Sequence, residues 1–189
     1  MGRNYETFMR NKLHVGIVLA FFVAVTSAGA SAATKPSAAP DWVVQNNSLT
    51  PGALNASVTQ ANIATTVCKS GWTATIRPTV GYTNKLKGTQ LKTTYLSYTK
   101  IWGAAVSGYE EDHLISLQLG GNPSDPKNLW PEPYSGNGAR KKDVVETALK
   151  RLVCAGTIKL ADAQKAILDW PTAYKKYVTA SDTADTSDN

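Results

Sequence analysis

YEEDHLISLQLGGNPSDPKNLWPEPYSGNGARKKD, the segment from Tyr109 to Asp143, decides the fold of this chain. Its opening YEEDHLISLQL is typical of a strand, GGNPSDPK is a Gly/Pro/Asp turn, and NLW is a short return strand. The next residues, ARKKDVVETALKRL, predict an amphipathic helix, because apolar side chains recur at helical spacing. The segment therefore predicts a β-hairpin followed by a helix, in a chain of the α+β class. The apolar helix positions are Val145, Ala148, Leu149, Leu152 and Val153.

Four short motifs follow one another in this segment: DH, GG, NL, and an Asn before a run of bases. In this order they resemble the HNH endonucleases, also known as His-Me finger or ββα-metal enzymes. The resemblance implies that His113 is a general base and that the neighbouring Asp112 is a metal ligand. It also implies that Asn128 braces the loop carrying the base and that Asn137 is the second metal ligand.

A longer region, from Asp41 to Tyr177, is similar to small exported bacterial proteins with the pattern DHLIPLELGG…NLWPEP. Here the pattern reads DHLISLQLGG and NLWPEP, with Ser116 in place of the usual Pro. The resemblance implies a ββα-metal core made of the hairpin and its helix. We expect additional helices after this core, and an irregular N-terminal half tied to it by a disulfide.

The residue types agree with this chemistry on their own terms. The carboxylate of Asp112 and the amide oxygen of Asn137 are hard ligands that suit Mg²⁺ or Mn²⁺ with positions left open for water and a phosphate oxygen. Asp143 and Glu146 on the following helix are alternatives to Asn137. A neutral imidazole with an ordinary pKa of ~6.5 allows His113 to take a proton from water. The pattern therefore favours hydrolysis of a phosphodiester bond.

The chain contains two histidines, and His14 lies in a predicted export signal. His113 would then be the only histidine of the exported protein, which excludes zinc sites built on pairs of histidines. Successive residues of a regular strand point to opposite faces, so a site shared by Asp112 and His113 predicts a bend or bulge between them. Glu110 and Glu111 are expected to face solvent.

Two other functions compete with an endonuclease. The first is an exported module that binds nucleic acid or the cell envelope and keeps the hairpin as a scaffold without catalysis. The second is a glycosidase of the cell wall that uses Glu110 or Glu111 as a catalytic carboxyl.

Charge is unevenly distributed along the chain, whose formal net charge is +6. No Asp or Glu occurs from Trp42 to Tyr109, whereas three acids follow at once from Glu110 to Asp112. A basic flank beside a concentrated acidic site attracts a polyanion toward a divalent cation. We therefore expect the protein to bind nucleic acid. DNA is the expected partner more than RNA, and the sequence leaves the oligomeric state open, with a monomer as the expectation. The predicted phosphate contacts are Lys127, Arg140, Lys141 and Lys142.

The two ends of the chain have compositions of their own. Residues 1–32 predict a signal peptide, because a basic start precedes an apolar run, Leu13–Val25, and small residues suited to cleavage. The expected location is secreted or periplasmic, and an uncleaved membrane anchor is the alternative. Residues 33–48 predict a flexible leader, residues 49–178 the nuclease domain, and residues 179–189 a disordered acidic tail.

Cys68 and Cys154 are the only cysteines, and an even number in an exported protein predicts a disulfide rather than two separate buried thiols. A bridge closing so long a loop contributes on the order of 4 to 5 kcal/mol in the chain-entropy model. Before the hairpin, the sequence predicts a short helix from Ser57 and another short helix in KGTQLKTTYLSY. Between them, WTATIRPTVGYTN alternates like a strand, which Pro78 limits to an edge strand or an extended loop. After it, a second C-terminal helix begins near Leu160 and is stopped by Pro171.

Overall fold

The predicted α+β class is confirmed by the computed structural model, which describes residues 41–184. Along the chain, a two-stranded antiparallel sheet comes between a group of short N-terminal helices and a group of C-terminal helices. The N-terminal helices are α1 (Trp72–Ile76), α2 (Val80–Gln90) and α3 (Leu96–Trp102). The strands are β1 (Tyr109–His113) and β2 (Leu129–Pro133). The C-terminal helices are α4 (Ala139–Cys154), α5 (Leu160–Ile167), α6 (Trp170–Tyr177) and α7 (Ala180–Ala184).

The hairpin pairs in regular register, from Tyr109 opposite Pro133 to His113 opposite Leu129. Its loop contains a short 3-10 helix and then the Gly-Gly pair. Gly120 has a φ of 76°, which favours glycine, and a Cβ on Gly121 would lie 1.7 Å from the carbonyl oxygen of Ile115. The Gly-Gly motif therefore lets the loop fold back tightly against the end of β1.

Helix α4 buries the predicted apolar stripe against the rest of the core. Val145, Ala148, Leu149 and Val153 are all buried, and α4 packs against α5 and α6. The helix starts immediately after Gly138, where a Cβ would lie 2.0 Å from the carbonyl oxygen of Pro133. The end of β2 and the start of α4 are thus in direct contact, which places the first turns of α4 beside the hairpin.

The predicted disulfide between Cys68 and Cys154 is confirmed, with the two Cα atoms 5.6 Å apart. It joins the last residue of α4 to the segment that leads into α1. Because Cys154 belongs to α4, the bridge ties the N-terminal half of the chain to the helix that follows the hairpin.

The strand predicted in WTATIRPTVGYTN is wrong, since the segment forms α1 and the start of α2. Pro78 separates the two helices, and Thr79 begins the second one by accepting a hydrogen bond from the backbone N–H of Tyr82 at 3.3 Å. The alternation of apolar and polar residues has no partner strand in the described residues. In place of the helix expected from Ser57, the structure has a 3-10 helix, Gln60–Thr65.

The predicted stop at Pro171 is also wrong. Helix α5 ends at Ile167, and Pro171 lies in the first turn of α6, where its missing N–H would have no helical partner anyway. Asp169 precedes this turn and accepts a hydrogen bond from the backbone N–H of Thr172 at 3.4 Å.

The predicted flexible leader is wrong for its described part, residues 41–48. Val43 is buried in the core and donates its backbone N–H to the carbonyl of Asn137 at 3.1 Å.

The predicted disordered tail is wrong for α7, where Asp182 accepts hydrogen bonds from Arg151 at 3.0 Å. The predicted signal peptide, the rest of the leader and residues 185–189 lie outside the described residues. Between residues 41 and 184, no helix has the length and apolar character needed to span a membrane.

Candidate functional site

A small polar cavity of about 160 Å³ lies along β1. Four consecutive strand residues, from Glu110 to His113, line it, so both faces of the strand contribute. The strand pairs in unbroken register, and the predicted bend or bulge between Asp112 and His113 is therefore wrong. Side chains from the loop and from neighbouring helices complete the wall, among them Arg77, Ser116, Asp143 and Glu146.

His113 ends β1 and is buried, with 5% of its surface exposed. Its Nε2 lies 2.9 Å from the carbonyl oxygen of Pro123. A carbonyl only accepts hydrogen bonds, so Nε2 carries the hydrogen and Nδ1 of the neutral ring keeps its lone pair. Burial lowers the pKa of His113, against the opposing effect of the Asp112 charge. The imidazole is thus in the form that can accept a proton.

Asn128 is fully buried and joins three segments of backbone around the hairpin loop. Its Oδ1 accepts from the N–H of Ile115 at 2.9 Å and from the N–H of Ala53 at 3.3 Å. Its Nδ2 donates to the carbonyls of Ile115 at 3.0 Å and Asn122 at 2.9 Å. These contacts fix the chain directly after His113, which is the bracing position that the sequence predicts for this residue.

Lys142 does not lie on the surface, and its predicted contact with nucleic acid is wrong. The side chain is 1% exposed, and Nζ donates to Asp112 Oδ2 at 2.6 Å, to Glu146 Oε1 at 2.5 Å and to the carbonyl of His113 at 2.8 Å. Burial lowers the pKa of Lys142, but the surrounding carboxylates more than offset this effect and raise it well above its usual value. Ser116 donates its hydroxyl to Glu146 at 2.6 Å and completes the network.

Three carboxylates, those of Glu110, Asp112 and Glu132, offer oxygens that all lie within 4.8 Å of one another. Glu132 is completely buried, and its carboxylate oxygens have no hydrogen-bond partner outside the acidic cluster in the described part of the chain, where the Asp112 side chain is the one within hydrogen-bonding reach. Burial, together with the Asp112 charge, raises the pKa of Glu132 well above its ordinary value. Closely spaced carboxylate oxygens with unused lone pairs are suitable ligands for a hard divalent cation, so these residues fit the implied metal.

The sequence reading missed Glu132, although the hairpin itself contains the signal. Glu132 lies directly opposite Glu110 in the strand register, and opposite residues of an antiparallel pair share one face. Pairing NLWPEP with YEEDH in the register that closes the loop would have placed the two glutamates side by side.

Glu110 and Glu111 do not face solvent as predicted, because both are partly buried and line the cavity. Both oxygens of Glu111 are buried without a hydrogen-bond partner among the described residues. Burial, with the Asp112 charge, raises the pKa of Glu111 to about 8, against the opposing effect of Lys87. Burial and the Asp112 charge also raise the pKa of Glu110 to about 7. Both carboxyls are therefore able to hold protons near neutral pH.

Asn137 is not among the residues that line the cavity, so the described chain does not bring it to Asp112 there. Its backbone pairs instead with the N-terminal segment, accepting from Val43 and donating to the carbonyl of Asp41 at 3.2 Å.

The alternative ligands Asp143 and Glu146 do line the cavity. Burial, with Asp112 as the main further cause, raises the pKa of Asp143, while burial raises the pKa of Glu146 to about 7 in spite of Lys142.

Of the remaining predicted phosphate contacts, Lys127 and Arg140 are exposed, whereas Lys141 is half-buried and donates to the Tyr174 hydroxyl at 3.3 Å. Lys127 is exposed on the turn before β2. Arg140 lies 5.4 Å from the centre of the Tyr134 ring and 3.8 Å from Asp143, and Lys141 lies 5.3 Å from the centre of the Tyr174 ring.

Arg77 is a further cation that sequence reasoning did not assign to the site. It is exposed and lines the cavity, and its charge lowers the pKa values of both His113 and Asp143. The only sequence signal was its place in the acid-free basic region, which does not distinguish it from the other bases there.

Comparisons with models of protein families, with curated proteins and with solved structures found no match to this chain.

Proposed function

We propose that the protein is an exported, metal-dependent endonuclease that hydrolyses phosphodiester bonds of DNA, with RNA as the weaker alternative. The observation that carries the proposal is His113, a buried and neutral imidazole at the edge of an acidic cavity. Its Nε2 is engaged by the Pro123 carbonyl, which leaves Nδ1 as the basic atom. Next to it, Asp112 belongs to a carboxylate cluster that suits a divalent cation.

In the proposed reaction, His113 Nδ1 takes a proton from water as the water oxygen bonds to phosphorus. The bond from phosphorus to the leaving oxygen breaks, and that oxygen takes a proton from solvent. Mg²⁺ or Mn²⁺ bound by Asp112 with Glu110 and Glu132 would stabilise the negative charge that develops on the phosphate. Asn128 holds the loop after His113, so the base keeps its position during proton transfer.

The surface charge supports a nucleic-acid substrate. Arg77 lies at the cavity itself, and Lys127, Arg140 and Lys141 are available on the outside of the hairpin and helix. Cations placed this way attract a phosphate backbone in a salt-dependent manner without reading its sequence. The disulfide supports export, since such bonds persist mainly in oxidising compartments.

The test is nicking of supercoiled plasmid by the purified protein in Mg²⁺ or Mn²⁺, with and without a chelator. We expect cleavage by the wild type, loss of at least about 100-fold in His113→Ala, and no cleavage in chelator. Lys100→Met, an exposed change on α3, serves as the control and should cleave normally. Cleavage that persists in chelator, or that His113→Ala leaves unchanged, would contradict the proposal.

A second candidate is the non-catalytic binding module. It is favoured by Lys142, whose ammonium already engages Asp112 at 2.6 Å. Salt-sensitive binding of plasmid without nicking would support this function. Lysis of peptidoglycan in the presence of chelator would instead support a glycosidase, for which the raised pKa of Glu111, about 8, supplies a protonated carboxyl.

A further inference from the structure

The Lys142 ammonium lies inside a group of carboxylates and has no free donor. Its three protons are directed to Asp112 Oδ2, Glu146 Oε1 and the carbonyl oxygen of His113, all within 2.8 Å of Nζ. An ammonium has only three hydrogens to donate. The charge is therefore fixed in one place in the interior of the protein.

Asp112 connects this ammonium to the candidate metal cluster. The same carboxylate is one of the three whose oxygens lie within 4.8 Å of one another, the others being those of Glu110 and Glu132. Glu132 adds a second observation, since it is completely buried and its two oxygens have no hydrogen-bond partner outside this cluster in the described chain. A divalent cation held by this cluster would share Asp112 with Lys142, and two cations on one carboxylate repel each other.

We propose that Lys142 is a resident cation that weakens the binding of divalent metal ions at Asp112. The inference rests on the proposed function, because it takes the cluster of Glu110, Asp112 and Glu132 as the metal site. It adds that the free protein binds metal weakly. Metal would then bind well only when a substrate phosphate contributes oxygens of its own, which is a common arrangement for Mg²⁺.

A purely structural role for Lys142 predicts the opposite result. If the ammonium only fixed Asp112 in place, its removal would loosen a metal ligand and weaken metal binding. If the ammonium competes with the metal, its removal takes away a repulsive charge and strengthens metal binding. The sign of the change in Mn²⁺ affinity therefore distinguishes the two roles.

The experiment is calorimetric titration of the full-length protein with Mn²⁺ in the absence of nucleic acid. We expect Lys142→Met to bind Mn²⁺ about tenfold tighter than the wild type, or more, equivalent to about 1.4 kcal/mol. Lys150→Met is the matched control, because it removes the same charge from the same helix at a residue that does not line the cavity. Its affinity for Mn²⁺ should stay close to that of the wild type.

A second pair of variants keeps the test informative if Lys142→Met does not fold. Lys142→Met combined with Glu146→Gln removes the ammonium together with one of its carboxylates, and is compared with Glu146→Gln alone. We expect the double variant to bind Mn²⁺ more tightly than the single one, with folding of both checked by circular dichroism. Equal or weaker binding, or no binding in any variant, would overturn the inference. Tighter binding in a protein that does not nick plasmid would sustain it and reject only the endonuclease.

Discussion

The ionisable groups on the two faces of strand β1 have different partners. Glu110 and Asp112 share one face with Glu132, because alternate residues of a strand point to the same side. On this face, Lys142 donates directly to Asp112, so a fixed positive charge balances part of the acidic cluster.

The opposite face, that of Glu111 and His113, has no comparable ion pair among the described residues. The oxygens of Glu111 are buried without a hydrogen-bond partner, and His113 is hydrogen-bonded to the uncharged carbonyl of Pro123. Burial raises the pKa of Glu111 to about 8 and lowers the pKa of His113, so both groups favour their neutral forms.

The difference shows that adjacent residues of one strand lie in different electrostatic surroundings. Burial raises the pKa of carboxyl groups on both faces, but only on the first face does an ammonium, that of Lys142, contact a carboxylate directly. Under the proposed function, the first face would bind a cation and the second would move a proton. Both faces line one cavity.

The largest expected effect comes from removing the ammonium of the first face. Lys142→Met leaves Asp112 and Glu146 buried without their shared partner, and we expect the free energy of unfolding to fall by about 3 kcal/mol. The measurement is chemical denaturation at pH 7 without added metal. Lys141→Met should change stability by less than about 1 kcal/mol. Equal stabilities for the two variants would mean that the carboxylates of this face do not depend on Lys142.

A smaller effect of opposite sign is expected on the second face. The pKa of Glu111 is raised from 4.5 in the unfolded chain to about 8, so the folded state binds the extra proton. This contribution to stability is complete below about pH 4.5 and is lost as the pH rises through about 8. Glu111→Gln imitates the protonated carboxyl. It should match the wild type at pH 5 and be more stable at pH 9, by at least about 1 kcal/mol.

Thermal unfolding at pH 5, 7 and 9 measures this difference. Asp162→Asn, on the exposed surface of α5, is a control for the loss of one negative charge. A Glu111→Gln variant that gains no stability over the wild type as the pH rises would show that this face holds an ionised carboxylate after all.

The sequence was sufficient for the parts of the site that depend on local patterns. The hairpin and α4 follow from turn residues and from the helical spacing of Val145, Ala148 and Leu149. The Gly-Gly pair and Asn128 follow from ordered motifs, and the disulfide follows from two cysteines in a chain for which the sequence predicts an export signal. In each case the relevant physical constraint lies within a short segment or in a simple count.

The parts of the site that the sequence did not predict depend on contacts between distant segments. Lys142 belongs to a run of bases, and only the packing of α4 against β1 turns it inward while Lys141 stays near the surface. Glu132 could be placed beside Glu110 only from the register of the two strands. The helices α1 and α2 were missed because their sequence alternates like a strand, and alternation has meaning only if a partner strand exists.

The smallest effect, and the finest test of the second face, concerns Arg77. Its exposed guanidinium lines the cavity and lowers the pKa of His113 through its positive charge. Arg77→Met should therefore raise the pKa of His113, as measured by NMR titration of the imidazole. Because the guanidinium is exposed, added salt screens its effect, and the difference between variant and wild type should shrink at 1 M NaCl. Lys100→Met should leave the titration unchanged. If the pKa of His113 stays the same or falls in Arg77→Met, burial and the charge of Lys142 maintain the neutral form of His113 without a contribution from Arg77.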